Sequence, residues 1–159
     1  MAQASAYFMG KVVIGFQDLD PNCHGLMSRW IERPTTRKLG LAPRAHLKSS
    51  LWTISDTLRL ICQNPNRRIL LINEVELNAV HWLAKIASVV ERRPLFRWLF
   101  PEVIPLPGTT RWSATELEFE RSEWFPECTI EAIGVGGAST SRHYTQIKED
   151  DLVGPRAQE

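Results

Sequence analysis

Two short stretches of this chain carry residue types that could handle phosphate. The first, LAPRAHLKSS at residues 41–50, ends in a lysine followed by two serines. At the start of a helix, a lysine in that position can reach the β- and γ-phosphates of a nucleotide, and the hydroxyl beside it can ligate Mg²⁺. The second, IKEDDLV, ends an apolar-to-polar stretch in Asp150 and Asp151. Phosphoryl transfer needs one carboxylate on the metal side and another to orient the attacking water, so two adjacent acids after a strand are a suitable pair. Each stretch also has a plain reading, a basic helix start for the first and a solvated acidic turn for the second.

A phosphate site of this kind requires a strand that delivers the chain, a turn whose N–H groups point inward, and a helix that begins at the lysine. RKLGLA, from residue 37, is expected to form the delivering strand. After Lys48, the positions Leu51, Ile54, Leu58 and Ile61 follow helical spacing. NPNR stops that helix, because Pro65 cannot continue it and the asparagines suit a turn. RILLINE, an unbroken apolar run, reads as a strand buried on both faces. A second helix carries Ala79, Leu83, Ile86 and Val90 on one stripe and closes at ERRP. Alternating strands and helices imply a βαβ unit.

Further along, the proline- and aromatic-rich FRWLFPEVIPLPGTTRW is expected to be an ordered loop. ELEFER alternates acidic and apolar residues as a half-wet strand would, and TIEAIGVGG and HYTQIKEDDL read as two more strands. GVGGASTS does not complete a dinucleotide fingerprint, since Ser139 stands where the last glycine belongs. The fold class expected is α/β, in three layers around a mostly parallel central sheet. Residues 1–36 form an irregular or helical lead-in, 37–154 the core and 155–159 a tail.

With 159 residues, 43% apolar and 23% charged, the composition is that of an ordinary globular domain, and no apolar run reaches the ~18 residues that a membrane span needs. Cys23, Cys62 and Cys128 are odd in number and far apart, which fits a reducing cytoplasm better than a disulfide framework. The net charge of +1 hides an asymmetry: Arg29, Arg33, Arg37, Lys38, Arg44 and Lys48 face the single acid Glu32. That stretch is either a solvated face or a phosphate-facing edge.

In the pattern G-x-x-x-x-G-K-[ST], the glycine positions fall on Ala42 and Leu47. The loop taken with RILLINEVELNA, FRWLFPE, TIEAIGVGG and RHYTQIKEDDLV, in this order, resembles the ATPase domain of the large terminase subunit of tailed bacteriophages. The resemblance spans roughly residues 12–154 and implies a P-loop NTPase-like fold. It implies that Ala42, Pro43, Arg44, Ala45, His46, Leu47, Lys48, Ser49 and Ser50 bind ATP. By the same resemblance Ser49 and Asp150 hold Mg²⁺, while Asp151 and Arg44 are catalytic. Ala45 stands where the family usually has glycine, and alanine tolerates positive φ poorly. Lys148 stands where a branched aliphatic residue is usual, and either an edge position for its strand or a decayed motif would account for it. His143 and Tyr144 match the family's His-Tyr pair. Trp112 and Arg121 also match by position, with core packing and a surface ion pair as their plain roles.

The resemblance further implies double-stranded viral DNA, a small terminase subunit and a portal as partners, and a ring homo-oligomer. The setting would be the cytoplasm of an infected or lysogenic bacterial host. In that family a coupling motif and a nuclease domain follow the acidic strand, and the sequence in hand ends at Glu159. The expectation is therefore the front part of a DNA-packaging motor, with a non-catalytic terminase remnant as the alternative.

Overall fold

A computed structural model describes residues 2–106, 108, 111–137 and 142–152. The expected tail at 155–159, the end of the core at 153–154 and part of the glycine-rich turn lie outside these residues.

The lead-in is helical. Helix α1 (Ala6–Phe8) runs directly into a π-helical segment (Met9–Ile14), and α2 (His24–Ile31) follows. Met9, Val13 and Ile14 join the main core cluster, so the lead-in is packed into the same domain. After Lys48 comes the expected long helix. It is π-helical over Ser49–Ser55 and α-helical over Asp56–Gln63 (α3). In the wider first part the Ser55 hydroxyl donates to the Ser50 carbonyl at 2.7 Å.

Strand β1 (Ile69–Asn73), helix α4 (Glu76–Arg92) and strand β3 (Ile130–Gly134) make the expected parallel crossover. The α4 stripe of Ala79, Leu83, Ile86 and Val90 is buried against Ile69, Leu71, Ile130 and Ala132. Each Leu or Ile so buried is worth about 1.5–3 kcal/mol, which explains why helical periodicity alone located α4. Gly134 ends β3 beside the start of this helix. A Cβ there would lie 3.0 Å from the Glu76 Cβ and 3.1 Å from its backbone N.

Strand β4 (Gln146–Glu149) pairs in parallel with β1, and the two-residue β2 (Glu116–Leu117) pairs antiparallel with β3. The order β2-β3-β1-β4 makes the domain α/β, with a mixed but mainly parallel sheet. Between α4 and β2, the proline-rich stretch is more regular than expected. Pro94 opens α5 (Pro94–Leu99), and a 3₁₀ turn covers Pro101–Val103.

Two expectations need correction. RKLGLA is not a strand, and Leu39 and Leu41 are 84% and 88% exposed. A strand exists only by pairing, and this segment is held by aromatic rings instead: a Cβ on Gly40 would lie 2.7 Å from the Trp52 ring and 2.8 Å from Trp30. The third layer is also missing among the described residues. Strand residues alternate faces, and the core side chains Ile69, Leu71, Ile130 and Ala132 all fall on one side. On the other side Leu70 and Glu131 are buried, Ile72 and Ile133 are half-buried, and Ile147 and Glu149 are exposed. No described helix is long and apolar enough to cross a membrane.

Candidate functional site

The two chemically suggestive stretches meet. Lys48 Nζ lies 2.5 Å from Asp151 Oδ1, across a separation of 103 residues in sequence. The meeting point is at the carboxyl ends of the parallel strands β1 and β4, where open α/β sheets place their ligands.

The loop takes on a conformation that its spelling argues against. Ala45 has φ 64° and Leu47 has φ 49°, both left-handed, in a turn that lacks glycine. Alternating right- and left-handed residues turn successive N–H groups into one concavity, the arrangement that cradles anions. Leu47 is held there by packing against the small cluster of Ala6, Leu19 and Leu51. His46 Nδ1 donates to the Arg44 carbonyl at 3.0 Å, so His46 shapes the turn. Ala42 is half-buried, as are Lys48, Ser49 and Ser50, while Pro43, Arg44, Ala45 and His46 are exposed. No ion pair joins Arg44 to the acids among the described residues.

Both acids are held by their backbones as well as by their side chains. Asp150 N donates to the Ile72 carbonyl at 3.0 Å, and Asn73 Nδ2 donates to the Asp150 carbonyl at 2.6 Å. The buried Asp150 carboxylate accepts from Thr53 Oγ1 at 3.0 Å. Asp151 is exposed with φ 51°, and its carbonyl accepts from Glu74 N at 3.4 Å. The Asn73 side chain also accepts from Val75 N at 2.8 Å and from Asn78 Nδ2 at 3.1 Å, tying the start of α4 to the same corner.

Lys148 resolves the anomaly of its strand. β4 is an edge strand among the described residues, and Lys148 turns inward to Asp56 Oδ2 and the Trp52 carbonyl, each at 2.6 Å. Asp56 also accepts from Arg59 Nε at 2.7 Å. Burial alone would raise the Asp56 pKa, but Lys148 and then Arg59 outweigh it and hold the carboxyl below its ordinary value. Burial pulls the Lys148 ammonium below its ordinary value, with Asp56 opposing.

Sequence reasoning missed Thr53, Asp56, Arg59 and Asn73. Thr53 lies four residues past Ser49 and Asp56 three before Arg59, so helical spacing was the available signal. A second cluster was missed entirely. One ligand atom each from Glu116, Cys128 and Glu131 lie within 4.8 Å of one another, beside a cavity of about 280 Å³. The cationic role there is already taken, since Arg142 pairs with Glu131 and the Tyr144 hydroxyl donates to Glu131 Oε2 at 2.6 Å. Burial, with Glu116 adding to it, pushes the Cys128 thiol up to about 11, so a neutral thiol stands among the acids. A larger cavity of about 550 Å³, lined by Phe119, Arg121 and Trp124 among others, includes no residue of the loop or the acid pair.

The remaining family-matched residues take structural roles. Trp112 packs on Phe119, its ring centroid 5.8 Å away, and donates Nε1–H to Glu91 at 2.7 Å. Arg121 pairs with Glu118 at 2.6 Å, with its own side chain buried. His143 N donates to Glu127 Oε1 at 2.8 Å.

Comparison of the chain with protein-family models, with curated proteins and with solved structures found no match.

Proposed function

We propose that this chain is a nucleotide-binding domain of the P-loop type, and that it serves as the ATPase part of a terminase-like motor for packaging double-stranded DNA. The observation that supports this reading best is the meeting of Lys48 and Asp151 beside a loop whose Ala45 and Leu47 are left-handed. An alanine and a leucine in that conformation are strained, at a cost of about 1–2 kcal/mol each, and such strain is typical of functional turns.

The division of labour follows from position. The backbone N–H groups of Ala42, Arg44, Ala45, His46 and Leu47 would face the phosphates (Pro43 has none), and Lys48 would exchange its contact with Asp151 for phosphate oxygens. Ser49 and Asp150 would hold Mg²⁺, which when bound would neutralise phosphate charge. Thr53 keeps one oxygen of Asp150 occupied, which leaves the other for the ion. Asp151, released from Lys48, orients water, and the exposed Arg44 guanidinium spreads charge over phosphoryl oxygens.

The basic edge supports a DNA-facing role. Arg29, Arg33, Arg37, Lys38 and Arg44 are all exposed. Their one acidic neighbour in sequence, Glu32, is turned inward, accepting from Ala6 N at 2.7 Å. Binding of this kind is electrostatic and weakens with salt. By the resemblance, the small terminase subunit, the portal and further copies of the chain in a ring are partners, in the cytoplasm of a bacterial host.

A second reading, a remnant that keeps the fold without turnover, draws on the irregular 37–42 segment where a delivering strand belongs. Equilibrium binding of a fluorescent ATP analogue with Mg²⁺ tests the site. Lys48→Ala should lose about 10–100-fold in affinity, as expected for charge-assisted hydrogen bonds worth roughly 1.5–3 kcal/mol. Equal affinity in both proteins would refute the assignment. Phosphate release, compared with Asp151→Asn, then separates a working ATPase from the remnant.

A further inference from the structure

Strand β4, which delivers both acids, has a strand neighbour on one side only among the described residues. Its inward face is tied to the helix that begins beside Lys48. Three hydrogen bonds do this within a short reach of both elements. Lys148 Nζ donates to Asp56 Oδ2 and to the Trp52 carbonyl, each at 2.6 Å, and Thr53 Oγ1 donates to Asp150 Oδ2 at 3.0 Å. Lys148 and Asp150 are buried, whereas Ile147 and Glu149 between and beside them are exposed. The inward row of the strand is thus the row that grips the helix.

A buried ammonium is a poor choice if the aim is stability alone. Desolvation offsets most of the Coulomb gain, and a well-packed apolar side chain of similar volume often does as well or better. Directed, short hydrogen bonds supply what an apolar contact lacks: they fix where the strand sits along the helix. Asp56 is itself fixed from the helix side by Arg59 Nε at 2.7 Å and Nη2 at 2.6 Å, so it presents a set target to Lys148.

We propose that Lys148 and Asp56 are positioning residues for the phosphate site, holding Asp150 and Asp151 at reach of Lys48 through the inward face of β4. The proposal rests on the nucleotide-site reading above for its function and on the contact geometry for its mechanism. Neither residue touches nucleotide; each acts through the acids.

The test uses Lys148→Met in the full 159-residue chain, which keeps the aliphatic stem and leaves Asp56 paired with Arg59. The first readout is amide hydrogen exchange without nucleotide. The Asp150 and Glu74 amides, which bond Ile72 and Asp151 carbonyls, should exchange faster, while the Ile69 amide, bonded to Thr129, should not change. The second is Mg²⁺ titration of ATP-analogue binding. Apparent Mg²⁺ affinity should fall about 10–100-fold, the usual loss when a residue supporting a metal ligand is removed, with Mg²⁺-free nucleotide affinity unchanged. Asp56→Asn, which keeps one acceptor oxygen and replaces the other by an NH2 donor, loosens the grip on Lys148 or Arg59, should shift Mg²⁺ affinity in the same direction and serves if the first variant fails to fold. A folded variant with wild-type Mg²⁺ affinity overturns the proposal, and so does unfolding of both variants, which would assign the pair to stability alone. If the wild type shows no nucleotide binding that depends on Lys48, the site reading falls. The exchange arm then decides the positioning role, and unchanged Asp150 exchange in Lys148→Met rejects it.

Discussion

Two lysine–aspartate pairs join the same strand end to the same helix, Lys48 with Asp151 and Lys148 with Asp56, at 2.5 Å and 2.6 Å. Their environments differ. The side chains of the first pair are 25% and 63% exposed; those of the second are 8% and 2% exposed. Contact distance is therefore no guide to what each pair does. Water and salt compete for the outer pair, so it contributes little to stability. The inner pair has no such competitor, and removing one partner strands a charge in the interior. One corner of the fold thus contains a solvent-exposed contact and a buried one.

The sharpest way to break this contrast is at Asp56. Asp56→Ala leaves Lys148 and Arg59 buried without their carboxylate and should lower unfolding free energy by about 3–5 kcal/mol, measured by urea denaturation. A loss no larger than that of an exposed pair would erase the distinction. The acid limb of the stability curve offers a second check on the same residue. The folded-state pKa of Asp56 lies below the ordinary value of 3.8, so the unfolded chain takes up the proton first as pH falls. Its contribution is present above pH 3.8 and is lost as pH drops through the folded-state value. Asp56→Asn should flatten that part of the curve.

A smaller effect belongs to the loop on the outer side. Ala45→Gly relieves a left-handed alanine while adding freedom to the unfolded chain. It should raise stability by a net ~0.5–1 kcal/mol in thermal denaturation. A fall in stability would mean that the turn is not left-handed in solution, and the anion cradle would lose its basis.

The smallest change is expected at the exposed partner. Asp151→Asn should alter stability by less than about 1 kcal/mol. With the competing carboxylate neutralised, Mg²⁺-free affinity for an ATP analogue should rise about 2–5-fold, the equivalent of an exposed ion pair. Unchanged affinity would mean that Lys48 does not need to leave Asp151 to meet phosphate.

Periodicity made some elements legible and left others out of reach. Leu51, Ile54, Leu58 and Ile61 marked the helix after the loop, and RILLINE marked β1, because burial repeats along the chain. RKLGLA showed the limit of that logic. Its apolar alternation is too short to separate a strand from a segment lying on tryptophan rings, and only the position of Trp30 and Trp52 decides. ELEFER likewise yielded two paired residues, since its partner β3 is engaged only at Glu131 and Ile130. At the site, Lys48, Ser49, Asp150 and Asp151 could be named from local spelling. The loop's left-handed residues could not, because neither alanine nor leucine advertises positive φ.

The amino-acid sequence alone determined the helix after Lys48, helix α4 and the buried strand β1, and where the side chains proposed to handle phosphate lie along the chain. These depend on interactions within a few turns or on side-chain alternation, so the order of residues carries them. The tertiary structure decided that Lys48 meets Asp151, that β4 is an edge strand among the described residues, and that Lys148 is a buried partner of Asp56 rather than an intruder. Those outcomes join residues about ninety to a hundred positions apart, at separations of 92 and 103. Charge pairing at such distances is set by how the helix docks on the sheet, and no local pattern records it.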